Sequence, residues 1–199
     1  NTNSRRKSMI YFDNAATTKP SKAAVDAMIK AAECFGNPSS LHGLGIEAEK
    51  LINESKKNIA DMLGVESKNI LFTSGGTEAN NLAVFGVAAA RHKIGTKIVT
   101  SKIEHPSVLE AFRKLEIDGF NVEYLDVDSE GRVDLDMLRN VLDDETILIS
   151  VMHVNNETGV IQPIEEIREI MLEKAPYAHL HTDCLQSFGK IDVKPKKMG

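Results

Sequence analysis

From Ile70 onward, short apolar runs rich in β-branched residues alternate with stretches whose apolar residues recur at helical spacing. Strands are expected at Ile70 to Thr73, Lys97 to Ser101, Val122 to Leu125, Thr146 to Met152 and Tyr177 to Thr182. Between them, Pro106 to Asp118 carries Val108, Phe112 and Leu115 on one stripe, and Pro163 to Lys174 carries Ile164, Ile167 and Met171. Each has proline in its first turn, where the missing N–H costs nothing. Asp134 to Leu142 reads as a shorter helix. Runs apolar on both faces need cover on both, and intervening helices let successive strands lie parallel. The expected class is α/β, a mostly parallel sheet with helices on both faces.

The first third of the chain differs. Asn1 to Ser8 (NTNSRRKS) has no apolar residue and reads as a disordered lead-in or tag remnant. Ile10-Tyr11-Phe12 is a short strand candidate, followed by helices over Lys22 to Phe35 and Leu44 to Leu63, with Gly36-Asn37-Pro38-Ser39-Ser40 breaking the chain between them. With 199 residues, 42% hydrophobic and 27% charged at net charge -5, the chain is expected to be a soluble globular protein. Its lysines are interleaved with acids, which speaks against a nucleic-acid face. No run is long enough to cross a bilayer, so no membrane role is expected and the expected compartment is the cytoplasm. Cys34 and Cys184 stand far apart without metal-ligand spacing and read as buried thiols.

In open α/β sheets ligands bind beyond the carboxyl ends of the strands. Four of the five expected strand ends carry hydrogen-bonding or titratable groups: the turn Thr73 to Thr77, Glu104-His105-Pro106, His153 to Glu157, and Asp183 with Gln186. The turn TSGGTEANN (Thr73 to Asn81) reads as strand, tight turn and helix. Gly75 and Gly76 let the backbone approach a ligand, and the helix opening at Thr77 offers unpaired N–H groups to a phosphate. The same residues fit a capping box, with Thr77 or Ser74 as N-cap and Glu78 in the first turn. Asp183 follows an apolar strand and needs a partner, either a cationic ring nitrogen of a bound cofactor or, as an N-cap, the turn Cys184 to Phe188. His179, His181 and Asp183 alternate along one strand and could instead offer a metal two imidazoles and a carboxylate, although Cys184 stands where that motif needs a histidine.

FDNAATT (Phe12 to Thr18), FGNPSSLH (Phe35 to His42), TSGGTEANN, SKIEHPSV (Ser101 to Val108), MHVNNETG (Met152 to Gly159) and HTDCLQSFGK (His181 to Lys190) together resemble the cysteine desulfurases, pyridoxal-phosphate enzymes of the class V aminotransferase group. The motifs run in family order from about Met9 to the end. The resemblance implies the large cofactor domain of the fold-type I transferases over residues 9–199. It implies that Gly76 and Thr77 hold the pyridoxal 5'-phosphate phosphate group, His105 stacks on the ring and moves protons, Asn156 contacts the cofactor, Gln186 reaches its ring oxygen, and Asp183 pairs with the pyridinium nitrogen. It assigns no metal. It also implies L-cysteine as substrate, L-alanine and enzyme-bound sulfur as products, a homodimer, and a sulfur-acceptor or scaffold protein as partner, with iron–sulfur cluster assembly among the pathways served.

The family's Schiff-base lysine follows a Ser-x-His motif beyond the HTD segment, and its sulfur-accepting cysteine lies further on. After Asp183 the lysines are Lys190, Lys194, Lys196 and Lys197, none of which follows a histidine, and His92-Lys93 is a decoy at the end of an earlier helix. Cys184 stands where the family usually has alanine and reads as a packing variant. The expected identity is the amino-terminal portion of a cysteine desulfurase; a selenocysteine lyase or aminotransferase of the same class, a metal-dependent hydrolase using His179, His181 and Asp183, and a truncated non-catalytic partner protein are the alternatives. These 199 residues alone are expected to form no Schiff base. Borohydride reduction with pyridoxal phosphate should leave no stoichiometric lysine adduct, and finding one by mass spectrometry would sink that expectation.

Overall fold

The computed structural model describes residues 10–198, so the lead-in expected at Asn1 to Ser8 lies outside the described residues. The chain divides into two compact units after Ile52. In the first, α1 (Lys22–Glu33) starts at Ser21, whose hydroxyl accepts the Ala24 N–H at 3.1 Å. It ends ahead of Pro38, which disfavours helical backbone in the residue before it. Asn37 Oδ1 accepts the Ser39 N–H at 2.9 Å and tightens the turn. A β-carbon on Gly36 would lie 2.0 Å from the Leu44 carbonyl oxygen, so only glycine lets this loop meet the start of α2 (Gly43–Leu63). Ile10 to Phe12 is not a strand: it pairs with nothing among the described residues, and its side chains stand exposed.

The second unit is an α/β layer structure. Its elements are α3 (Gly76–Arg91), β1 (Lys97–Ser101), α4 (Pro106–Ile117), β2 (Asn121–Leu125), α5 (Leu135–Val141), β3 (Thr146–Ser150), α6 (Ile164–Lys174), β4 (His179–His181) and a last turn of helix, α7 (Pro195–Met198). The four strands pair in the order β2-β1-β3-β4, every pair parallel. Strand alternation sorts the core. Ile98 and Leu148, partners in register, face Val84, Val108 and Phe112 of α3 and α4. Val99 and Ile149, the next pair, face Leu138, Ile167 and Ile170 of α5 and α6. All five of these strand and helix positions on the α5 and α6 side are buried, which is what a sheet covered on both faces requires.

Two local expectations change. Ile70 to Thr73 is not a strand. A 3₁₀ turn (Ser67–Asn69) leads into backbone that is extended at Ile70, yet among the described residues no partner strand stands beside it, and Leu71 and Phe72 are 67% and 49% exposed. An apolar run favours extended backbone, but strand formation needs a second strand to receive its hydrogen bonds. The other change is one of extent: β3 and β4 are shorter than Thr146 to Met152 and Tyr177 to Thr182, although the Val151 N–H still donates to the His181 carbonyl at 3.1 Å just past them. Proline falls at the first position of α4, while Pro163 is the N-cap of α6.

Phe112, fully buried under the β1–β3 pair, is the largest side chain enclosed by α3, α4 and the sheet. Phe112→Ala should lower unfolding free energy by about 3–5 kcal/mol, whereas exposed Ile117→Ala on the same helix should change it by roughly 0.5 kcal/mol or less. Urea denaturation of both variants checks this; equal losses would mean that the α4 face is misassigned.

Candidate active site

The chain leaves β1 for β2 on one side and leaves β3 for β4 on the other, so a crevice opens between the carboxyl ends of the neighbouring strands β1 and β3. Glu104 closes its floor. It is 5% exposed, and its Oε1 accepts the Ser101 hydroxyl at 2.7 Å and the Met152 N–H at 2.8 Å, tying the end of β1 to the segment after β3. Its Oε2 is buried without a partner among the described residues. Burial pushes the carboxyl up to about 7; the Met152 and Ser101 hydrogen bonds pull against this, and the nearby Asp183 charge adds to it.

Asp183 lies just past β4 and is half-buried. Its Oδ1 accepts the Leu185 N–H at 2.9 Å, so the local capping interaction is present, and its Oδ2 accepts Asn80 Nδ2 from α3 at 2.9 Å. Its backbone carbonyl accepts the His153 N–H at 2.9 Å, which joins the β3 and β4 ends. Asn80 also donates to Ser107 Oγ at 2.9 Å, and Ser107 sits against His105 Nδ1. One buried asparagine thus links the turn carrying Asp183 to the helix start carrying His105.

The α3 terminus meets the same turn. Gly75 is the N-cap, without a side-chain cap, so neither Thr77 nor Ser74 takes that role. Half of a capping box survives: Glu78 Oε2 accepts both the N–H and the hydroxyl of Ser74, each at 2.6 Å, which holds its carboxyl below the usual range. A β-carbon at Gly76 would lie 2.8 Å from Leu185 Cδ1, two residues past Asp183. The bare α3 terminus and Asp183 therefore belong to one locality. His105 and Asn156 line a cleft of about 330 Å³ together with Glu104 and Glu157. The neighbouring Asn155 holds the loop, its Oδ1 accepting from Glu157, Thr158 and the Thr158 hydroxyl. Gln186 accepts from Lys190 Nζ at 3.1 Å. A larger depression of about 580 Å³ beside α6 contains none of the six residues singled out from the sequence.

The metal arrangement does not form. His179 Nε2 is taken by Arg91 Nε at 3.0 Å, His181 Nδ1 shares a hydrogen with Ser150 Oγ at 2.8 Å, and Asp183 is bonded as above. Among the described residues, no three His, Cys, Asp or Glu side chains are grouped to hold an ion. Burial lowers the pKa of both His153 and His181, favouring neutral rings. Cys184 is half-buried, and burial raises its thiol pKa, which suits an inert packing role. Sequence reasoning quoted Glu104 and Asn80 within motifs but gave neither a task. Their partners lie 48 and 103 residues away, and no local pattern signals such pairs.

The folded-state carboxyl of Glu104 holds its proton to about pH 7, while an unfolded chain releases it near the ordinary value of 4.5. Between those values the unfolded state binds fewer protons, so stability falls as pH rises through the window and levels off above it. Glu104→Gln, always neutral, should remove roughly 3 kcal/mol of this decline. The variant should therefore match the native protein near pH 4.5 and exceed its stability at pH 8. A pH-independent difference in urea midpoints would contradict this environment.

The family described as aminotransferase class-V matches residues 10–199. A cysteine desulfurase IscS of Methanosarcina thermophila is 48% identical over 95% of this chain and 46% of its own length. The solved structure of a NifS-like protein superposes with a TM-score of 0.92 at 40% identity, covering 95% of this chain and 52% of that one. The structure of SspA in complex with cysteine gives 0.88 at 38%, covering 94% and 54%. The chain spans about half the length of the curated relatives it matches. Among the described residues no helix is long and apolar enough to cross a membrane. By fold and sequence, the chain belongs to the class V aminotransferase family.

Proposed function

We propose that this chain forms the cofactor-binding part of a pyridoxal-phosphate-dependent cysteine desulfurase, which converts L-cysteine to L-alanine and retains the sulfur as a persulfide on an enzyme cysteine. The observation that carries the reading is the link from α3 to Asp183 and His105 through Asn80, beside an uncapped helix terminus. The donor set fits the cofactor at each point. Gly76 and Thr77 supply backbone N–H groups, a hydroxyl and the positive end of a helix for a phosphate. Asp183 supplies a carboxylate, oriented by the Leu185 N–H and Asn80, for a protonated ring nitrogen. Gln186 and Asn156 supply amides for the ring oxygen and its surroundings.

When bound, the cofactor supplies an electron sink for charge developing at the substrate Cα, and a protonated ring nitrogen strengthens it. The chain's own residues do the rest. Asp183 would keep a hydrogen on that nitrogen, the α3 terminus would anchor the phosphate, and His105, exposed at the cleft, would hold the ring and carry protons. Glu104 keeps the crevice floor closed by holding the β1 and β3 ends together. A homodimer, a sulfur-accepting partner and a place in iron–sulfur cluster assembly belong to the same proposal, by analogy with the desulfurase relatives.

The test uses a protein of the relatives' full length carrying this chain, loaded with pyridoxal phosphate. L-cysteine should yield alanine and thiol-releasable sulfur in equal amounts. Much faster turnover of selenocysteine, or amino transfer to a keto acid without sulfur release, would redirect the assignment within the family. Asp183→Asn should lower kcat/KM by about two orders of magnitude or more, while Cys184→Ala stays within a few fold. The reverse order would overturn the Asp183 role.

A further inference from the structure

The chain of hydrogen bonds from Asp183 to His105 has an unambiguous direction. The Ser107 backbone N–H, in the first turn of α4, points at His105 Nδ1 from 3.1 Å. An amide N–H can only donate, so Nδ1 presents a lone pair. Ser107 Oγ lies 2.8 Å from the same nitrogen, and its hydroxyl must therefore donate to it as well. That leaves the Ser107 oxygen as an acceptor for Asn80 Nδ2, 2.9 Å away. The second hydrogen of the same amide nitrogen meets Asp183 Oδ2 at 2.9 Å. Turning the Asn80 amide over would aim its oxygen at a carboxylate, so the acceptor-only Asp183 fixes one end of the chain and the donor-only Ser107 amide fixes the other. Asn80 and Ser107 are both buried, where each unmade hydrogen bond is expensive and each made one is strong.

We propose that Asn80 and Ser107 are positioning residues that hold neutral His105 as the tautomer with its hydrogen on Nε2 and tie that orientation to Asp183. A hydrogen on Nδ1 would face two donors. The proton-carrying atom of the ring is then Nε2, since Nδ1 is engaged by Ser107. This deepens the functional reading above, on which His105 exchanges protons with substrate through Nε2 alone. It also explains why an asparagine serves at position 80: the network needs two hydrogens on one atom, aimed at a hydroxyl and at a carboxylate.

The experiment is solid-state NMR of the full-length, cofactor-loaded protein containing histidine labelled with carbon-13 and nitrogen-15, with His105 assigned by comparison with His105→Gln. Correlation through ring Cγ reports Nδ1, and correlation through Cδ2 reports Nε2. The expected spectrum of the neutral ring shows Nδ1 without hydrogen and Nε2 with it; the opposite pattern in the unmutated protein overturns the proposal. Asn80→Leu, which removes both donated hydrogens and frees the Ser107 hydroxyl to turn, should shift the Nδ1 resonance while the Ser107 amide keeps that nitrogen without hydrogen, whereas Ser107→Thr, which keeps the hydroxyl, should retain the native pattern. An Asn80→Leu spectrum identical to the native one overturns the link to Asp183. The readout needs no turnover, so failure of the desulfurase assay and failure of this proposal are separate results.

Discussion

Everything at the polar edge depends on the junction of β1 and β3, where the sheet's winding changes direction. Two parallel strands side by side leave their last backbone groups facing a crevice that no crossover fills. Glu104 meets that demand from within, with one carboxylate oxygen receiving the Ser101 hydroxyl and the Met152 N–H. The cost is a carboxyl group enclosed in a low-dielectric place, visible as its raised pKa. Such an arrangement is stable at the base of a crevice because the apolar layers beneath it, Ile98 with Leu148 and Val99 with Ile149, are held by the bulk of the sheet.

Above that floor, the side chains that do chemistry arrive from separate stretches of sequence and are coupled by short polar side chains. Asn80 comes from α3, Ser107 from α4 and Asp183 from the turn after β4, and each link is an ordinary hydrogen bond close to 2.9 Å. Their effect is to remove alternatives. A carboxylate at one end and a backbone amide at the other leave a single consistent placement of the hydrogens between them. The bare start of α3 sits against the same turn. A helix terminus suited to a phosphate and a carboxylate suited to a ring nitrogen thereby lie in one locality.

Most of the fold was legible because burial on two faces leaves a strong mark. The runs at Ile98 to Ser101 and Thr146 to Ser150 and the stripes Val108-Phe112-Leu115 and Ile164-Ile167-Met171 are buried. Ile70 to Thr73 carried the same mark and is not a strand, since its apolar side chains are a local property and its hydrogen-bond partners are not. The turn at Gly75 and Gly76 was legible as a helix start for a similar reason: glycine and threonine act on their own backbone. The capping choice was not, because Glu78 could reach Ser74 or leave it, and only the folded turn decides.

The sequence by itself determined the α/β class, the order of the elements, and the set of polar residues, His105, Asn156, Asp183 and Gln186 among them, that lie beyond the strand ends. These follow from periodicity and from the chemistry of single residues. Tertiary structure alone decided the strand order β2-β1-β3-β4, the separation of His179 from His181 and Asp183 as metal ligands, and the use of Glu104, Asn80 and Ser107 as connectors. Such contacts join residues tens of positions apart, and the energy of a hydrogen bond depends on where its partner sits and how dry the place is, which no stretch of chain specifies alone.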